Sequence, residues 1–502
     1  MRGHCVRFFA GLFLLSCALG AALPPCAGAA RAQGGGDSLR LSLGEVTERA
    51  LAQGEEFKLS QADMATARAL YLQARATALP QISGSLSYTR QIESVFRQKG
   101  GTTIEPFEPD TNAAIEQRVR DIERALPNSG LAGLSSLFRS TSFGSKNTWV
   151  GSVGVTQRLF QGGSIWGSIA AARHAMSAAR SSESDRREDV ILKVREAYLG
   201  ALLADRRLRI ARLALEQAEN QLERVGLRKE AGAASEFVLL QAEVERDNQI
   251  PLVRRAAQGR EIAYLELCRL ANVRSTDPIV LTTGLLGDAA IPAEPAAVDT
   301  TGLVAEALRA SGVRALEEAL YAREDAVKVA KADLWPDISL FANYSRQAFP
   351  TDALPKSGEW KKDINAGARV TWSLFDGFRT RGAIQQTRAQ ASIARQSLNQ
   401  TRELVREAMV QNQLELERSA SDLHARARTV QVAGRAFELA RLRYDEGASS
   451  LMEVNDARIA YQIAQVNEAE ARHDYFVTLA RLERFSGRPL FTSVADAAGG
   501  AR

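Results

Sequence analysis

Two carboxylates, Glu453 and Asp456, stand three residues apart and so share one face of a helix. Acids held at a constriction repel one another, attract cations and raise each other's pKa, which would make such a constriction responsive to cations or pH. The plainer reading is a helix start. Ser450-x-x-Glu453 is a capping box, and acids in a first helical turn answer the helix dipole. The other reactive residues give little. His174, His424 and His473 lie far apart on helical stretches with polar neighbours and are read as solvated, and no Cys–His or metal-spaced cluster occurs. Cys268 reads as a small buried apolar residue. The glycines after Phe160 and Phe375 lack a phosphate-loop pattern. Neither enzyme chemistry nor a cofactor is expected.

The elements that must position these residues are long helices. The 502-residue chain is 45% hydrophobic and 25% charged with only 6% aromatics, a composition that suits long helices and coiled coils better than a many-stranded enzyme. Arg2 and Arg7 precede the apolar run Phe8 to Leu23, and Ala30-Arg31-Ala32 has the small residues of a cleavage site, so residues 1–32 read as a secretory signal. The alternative is a lipoprotein signal ending at Leu14-Leu15-Ser16-Cys17, which the apolar stretch after Cys17 fits poorly. Signal removal takes three basic residues from the formal +5, leaving about +2 and no case for a nucleic-acid partner. Cys268 remains as the single cysteine, so no disulfide can form within one chain. No later run of 18 apolar residues exists, and any membrane span must be made of strands.

The chain repeats one plan. Pro80-Gln81-Ile82-Ser83 and Tyr88-Thr89-Arg90-Gln91 return 256 positions later as Pro336-Asp337-Ile338-Ser339 and Tyr344-Ser345-Arg346-Gln347. Val155-Thr156-Gln157-Arg158-Leu159-Phe160-Gln161-Gly162 matches Val370-Thr371-Trp372-Ser373-Leu374-Phe375-Asp376-Gly377 at an offset of 215, as Gly232-Ala233-Ala234-Ser235 matches Gly447-Ala448-Ser449-Ser450. The difference places about 41 extra residues in the first copy, within Ile92 to Lys146, where Ala113 to Leu126 looks helical. Each copy reads as helix, strand, loop, strand, long helix, turn, long helix. A first repeat spans 33–284, with strands near 81–91 and 147–160 and a hairpin near 168–273. A linker at 285–301 precedes a second repeat at 302–487, with strands near 337–347 and 363–375 and a hairpin near 383–486, followed by a flexible tail, 488–502.

Local patterns support this order. Ser42-x-x-Glu45 opens a helix that is expected to run to Pro80. Ile82, Gly84, Leu86 and Tyr88 then alternate with polar residues, as do Ile338, Leu340, Ala342 and Tyr344, and Ile364, Ala366, Ala368, Val370, Trp372 and Leu374. One face suits lipid and the other water. Val190, Val194, Ala197, Ala201, Ala204, Leu208, Ala211, Leu215, Ala218, Leu222 and Val225 form a heptad seam, repeated by Leu423, Ala427, Val430, Gly434, Phe437 and Tyr444. A helix from about 168 to 229 would be about 90 Å long. Pro251 is expected to interrupt the first returning helix. Trp149, Trp166, Trp372 and Phe378 flank or lie in the strands, placed for an interfacial girdle or for packing.

The fold expected is mainly α with a β-barrel part. Four strands per chain cannot close alone, and closure by rotational symmetry is the economical solution. Two chains would give eight strands and a filled interior, and three would give twelve and a pore, which the polar face favours.

From Leu41 to Gly487 the chain resembles the TolC family of outer-membrane efflux proteins. The resemblance rests on Leu79-Pro80-Gln81-Ile82, Leu159-Phe160-Gln161-Gly162-Gly163, Leu374-Phe375-Asp376-Gly377-Phe378 and Arg443-Tyr444-x-x-Gly447-Ala448-Ser449-Ser450-x-x-Glu453-Val454, in duplicate and in order. It implies a homotrimer with a 12-stranded barrel in outer-membrane lipid and a periplasmic helical tunnel, serving tripartite efflux or type I secretion. It implies docking of a periplasmic adaptor and an inner-membrane transporter at the tips Gly232, Ala233, Ala234, Ser235 and Gly447, Ala448, Ser449, Ser450. It also implies a gate in which Glu453 and Asp456 face the lumen, with Tyr444 holding the closed tip. Two departures stand out, because family patterns put an acid where Val238 stands and a base where Ser449 stands. The first hairpin has Val238 and Gln241 where the second has the two acids, which favours the second as the gating hairpin. A rival reading, a periplasmic or surface coiled-coil protein with structural or adhesive work and no pore, has no use for the duplicated strand pairs.

Overall fold

The structure, a computed structural model, describes residues 39–93, 110–126, 146–274, 279–284 and 302–491. The signal at 1–32, the linker at 285–301, most of the 92–146 loop and the tail from 492 lie outside the described residues.

The elements run β1 (Leu39–Leu41), α1 (Leu43–Gln53), α2 (Glu55–Ala76), β2 (Gln81–Arg90), β3 (Asn147–Gln161), α3 (Ser164–Glu230), α4 (Glu236–Ala271) and β4 (Ile279–Leu281). They continue as α5 (Leu303–Ala307), α6 (Ser311–Ala332), β5 (Asp337–Ala348), β6 (Trp360–Thr371), α7 (Arg379–Asp445) and α8 (Leu451–Ser486). A helical stretch at 115–126 sits in the loop between β2 and β3. Among the described residues, no helix is long and apolar enough to cross a membrane.

One antiparallel sheet takes the order β2-β3-β5-β6, and its register sorts the side chains by chemistry. Directly opposed residues share a face. Ile82, Val155, Ala342 and Ala366 form one row, and Gly84, Val153, Tyr344 and Ile364 form the next, so this surface is mainly apolar, with Arg346 and Lys362 joining it in the following row toward the loops. The opposite surface carries the row Ser85, Ser152, Ser345 and Asp363, in which the Ser85 and Ser152 hydroxyls are 2.8 Å apart. A bulge between Arg158 and Phe160 adjusts the register near the helical end. β6 ends at Thr371, short of the expected 375, because Trp372 and the chain beyond it turn toward α7. Its indole Nε1 donates to the Leu334 carbonyl at 3.2 Å.

Below the sheet the two halves match in length. α3 and α7 each have 67 residues, about 100 Å of helix, and α4 and α8 each have 36. The shorter helices cover only the lower part of the long ones, and α2 and α6 pack along the upper part. The seam positions Val190, Val194, Ala201, Leu208, Ala211, Ala218 and Val225 are buried as the heptads require.

Several expectations change. The first helix does not run unbroken to Pro80. Its capping box is complete, but the chain breaks at Gly54, whose extended backbone donates to the Ala50 carbonyl at 2.9 Å before α2 begins. Pro251 does not interrupt α4, which runs through it, since packing of the flanking turns outweighs one lost backbone hydrogen bond. The tail does not begin at 488. Phe491 is buried against Phe476, its N–H donates to Glu483 at 2.8 Å, and the Arg195 guanidinium lies 4.8 Å over its ring.

A belt around the middle of the helices was not foreseen. β1 and β4 form a parallel pair of three residues each, and the buried Tyr198 of α3 locks them in place. Its hydroxyl donates to Leu41 O at 3.1 Å and accepts from Thr283 N at 3.0 Å. Burial keeps this phenol above its ordinary pKa, so it stays a donor across the physiological range.

The turn from β3 into α3 depends on Gly162. Its φ is +57°, and a Cβ there would stand 2.3 Å from the Ala332 carbonyl oxygen of α6. Gly163 also has positive φ but faces open space. Gly163→Ala is therefore expected to cost only the backbone strain of about 1–2 kcal/mol, and Gly162→Ala that strain plus the displacement of Ala332, so that it melts at a clearly lower temperature than Gly163→Ala. Equal losses in thermal melts would contradict this packing.

Candidate functional site at the hairpin tips

The two long helices end in the same way. At the first tip Gly232 N–H donates to Lys229 O at 2.9 Å and Ala233 N–H to Arg228 O at 2.7 Å. At the second, Gly447 donates to Tyr444 O at 3.0 Å and Ala448 to Arg443 O at 2.7 Å. Both glycines are left-handed, with φ of +71° and +75°. Ser235 and Ser450 then cap α4 and α8, accepting from the N–H groups of Val238 and Glu453. Gly232, Ala233, Ser235, Gly447, Ala448 and Ser450 are exposed, whereas Ala234 and Ser449 are half-buried, so the tips present mostly backbone and small side chains.

The capping box expected at Ser450 and Glu453 is only half made. Glu453 N–H bonds the Ser450 hydroxyl at 3.3 Å, but the Glu453 carboxylate accepts from Arg443 Nη1 at 3.0 Å rather than returning to the cap. A guanidinium is a stronger partner for a carboxylate than a neutral amide. Asp456 lies one turn further on, exposed and with no ion-pair partner among the described residues. Within one chain, then, the two acids are not equivalent. Glu453 is balanced and Asp456 is open.

Arg228 was missed at the level of sequence, although the 215-residue offset contains the signal. It is the counterpart of Arg443, and the counterpart of Glu453 is Val238. With valine at the position matching Glu453, Arg228 reaches across to the second hairpin. Its Nη2 donates to Asp445 at 3.2 Å and its guanidinium lies 4.9 Å from the Tyr444 ring. Tyr444 meets Leu222, Val225, Val238 and Leu451 in a small apolar cluster joining the hairpins. The Ser449 hydroxyl turns back to the Ala440 carbonyl at 3.4 Å and so takes no part in this contact between the hairpins.

Among the described residues no group of three potential metal ligands comes together. His174 is not simply solvated, however, because Glu318 of α6 lies 2.7 Å from its Nδ1 and Asp325 lies 3.9 Å from its Nε2. Cys268 is buried, as expected.

Residues 46–272 and 305–488 match the family described as outer membrane efflux protein. The chain belongs to that family. It is an outer-membrane transport protein rather than an enzyme. The pyoverdine export outer membrane protein OpmQ of Pseudomonas aeruginosa is 25% identical over 465 residues, covering 89% of this chain and 83% of its own. The outer membrane protein TolC of Vibrio cholerae is 24% identical over 358 residues, covering 69% of this chain and 78% of its own. The crystal structure of VceC, an outer membrane protein of Vibrio cholerae, superposes with a TM-score of 0.67 at 16% identity over 88% of this chain and 96% of its own, so the efflux protein has a TolC-like fold.

The Arg228–Tyr444 contact joins the hairpins through one cation–π pair. A double-mutant cycle with Arg228→Ala and Tyr444→Ala, read as local opening of the first turn of α8 by hydrogen exchange, should return a coupling of about 0.5–1 kcal/mol. Additive effects would deny the contact.

Proposed function

We propose that the protein is the exit duct of a tripartite efflux pump or type I secretion system: a passive homotrimeric channel, gated at its periplasmic tip and powered by an inner-membrane transporter reached through a periplasmic adaptor. The observation that carries this reading is the four-stranded sheet. Its surface is mainly apolar on one side and mainly polar on the other, with the charges Arg346 and Lys362 confined to the loop end of the apolar side, and β2 and β6 each have a neighbour on one edge alone. Unpaired strand edges cannot lie in hydrocarbon, where each free backbone group costs several kcal/mol. Pairing β6 of one chain with β2 of the next satisfies both edges, and three copies close twelve strands around a polar interior. The two structural repeats supply two strands and one hairpin each. The names of the relatives, which include a pyoverdine exporter, favour export without fixing the cargo.

The helices would then form a tunnel about 100 Å long by the same helical rise. In a trimer Glu453 and Asp456 make two acidic rings if both face the lumen. Arg443 balances the first ring, so cation attraction rests mainly on Asp456. The small exposed tips suit the close approach of an adaptor's helices. Trp372 and Phe378, exposed at the helical end of the sheet, and Tyr88 and Trp149, in tilted ring contact with centroids 4.8 Å apart at the other end, suit the two interfacial belts of a barrel.

Two experiments test this. The outer-membrane protein extracted under mild conditions should have three times the chain mass, and a scan of cysteine pairs on one face of β2 and β6 should find a register that gives disulfide-linked trimers. Monomers or dimers alone under mild extraction would exclude the twelve-strand closure. In planar bilayers Asp456→Asn should reduce cation selectivity more than Glu453→Gln does, and unchanged selectivity in the double variant would remove the acids from the lumen.

A further inference from the structure

A polar cavity of about 100 Å³ lies just above the tips, where α3, α4, α7 and α8 meet. One water needs only ~10–15 Å³ on such a measure, so there is room for a larger guest. Its floor is Arg458 of α8, only 4% exposed. One guanidinium nitrogen, Nη2, donates to Glu245 of α4, whereas Nε and Nη1 are buried with no protein partner. Burial lowers the pKa of this group, and the Glu245 carboxylate opposes that shift. At the mouth stand Arg224 of α3 and Arg441 of α7, both exposed.

The orphaned atoms state the chemistry of the guest. Gln221 of α3 accepts from Arg224 Nη2 at 2.8 Å, and because a guanidinium can only donate, this bond fixes the amide with its Nε2 as the free, buried group. Among the side chains lining the cavity, every buried atom without a partner is therefore a donor: Arg458 Nε, Arg458 Nη1 and Gln221 Nε2. Three arginines face one glutamate, and Asn455 adds an uncharged amide. Neutral water could take the hydrogen bonds but not balance the charge.

We propose that this cavity binds a small tetrahedral oxyanion of the phosphate or sulfate class, held by Arg458 from the floor and by Arg224 and Arg441 from the mouth. Because the first hairpin supplies Gln221, Arg224 and Glu245 and the second supplies Arg441 and Arg458, the anion clamps the two hairpins of one chain together. The site stands whether or not the tip is a gate. Glu245 competes with the anion for the same guanidinium, which sets the affinity low enough for exchange.

The test is calorimetric titration of the full-length, detergent-purified protein with inorganic phosphate, and separately with sulfate, with chloride holding the ionic strength constant. Saturable binding of one anion per chain is expected. Arg458→Gln should weaken it at least tenfold, the exposed double variant Arg224→Gln, Arg441→Gln should weaken it several-fold with mass and helicity unchanged, and Glu245→Gln should tighten it. Absence of saturable heat, or isotherms unchanged in the rim double variant and in Glu245→Gln, would show that the donors are merely hydrated and would overturn the proposal. Should Arg458→Gln fail to assemble, the rim and Glu245 variants decide the question by themselves.

Discussion

A strand facing hydrocarbon can place its backbone N–H and C=O groups only on another strand, and much of this protein follows from that constraint. β3 and β5 are paired on both edges within the chain, and β2 and β6 on one. Alternation along each strand would mean little if the register did not bring like residues opposite one another. The rows from Ile82 to Ala366 and from Ser85 to Asp363 show that it does. A single-residue slip would have put serines among the apolar side chains. The sheet thus has a mainly apolar surface, a mainly polar one, and two edges with no neighbour within the described chain. In the proposed trimer the neighbour at each edge is another copy of the same chain.

The helices answer a different constraint, that of length. A 67-residue helix cannot be covered by a 36-residue partner, so each long helix exchanges partners along its course, with α4 or α8 below and α2 or α6 above. An exchange of partners exposes helix ends, and in the first half the belt of β1, β4 and α1 meets them. Tyr198 holds that belt through two backbone hydrogen bonds from a fully buried site. Gly162 serves the upper junction, where the chain leaves the sheet and must pass close to Ala332.

At the tips, identical turns carry different electrostatics. Both hairpins place an arginine ahead of the glycine, and only the second has an acid at the N3 position after its serine cap, where the first has Val238. Arg443 is therefore satisfied within its own hairpin, while Arg228 crosses to Tyr444 and Asp445. One substitution between the copies, valine for glutamate, turns an internal ion pair into a link between hairpins. Exposed pairs of this kind are worth about 1 kcal/mol or less.

Local chemistry was legible in the sequence where the order of residues along the chain decides it. The duplicated plan, the strand alternation, the heptad seam and the glycine-serine turns follow from spacing, because each involves residues within a few turns of one another or a comparison of the chain with itself, and the family follows from the resemblance of its motifs. What depended on meetings across the chain was not legible. β1 pairs with β4 some 240 residues away, Phe491 packs on Phe476 and not in a free tail, and His174 finds Glu318 and Asp325 on another helix. Pro251 and Gly54 show the same limit in reverse, since a strong local signal was overruled in one case and a weak one prevailed in the other. Glu453 was visible as a carboxylate near a tip, but its balance by Arg443 and the solitude of Asp456 were settled only when two antiparallel helices brought their charges to within hydrogen-bonding distance. Sequence determines which groups a helix face carries; the packing of helices against one another determines which of those groups are left without a partner.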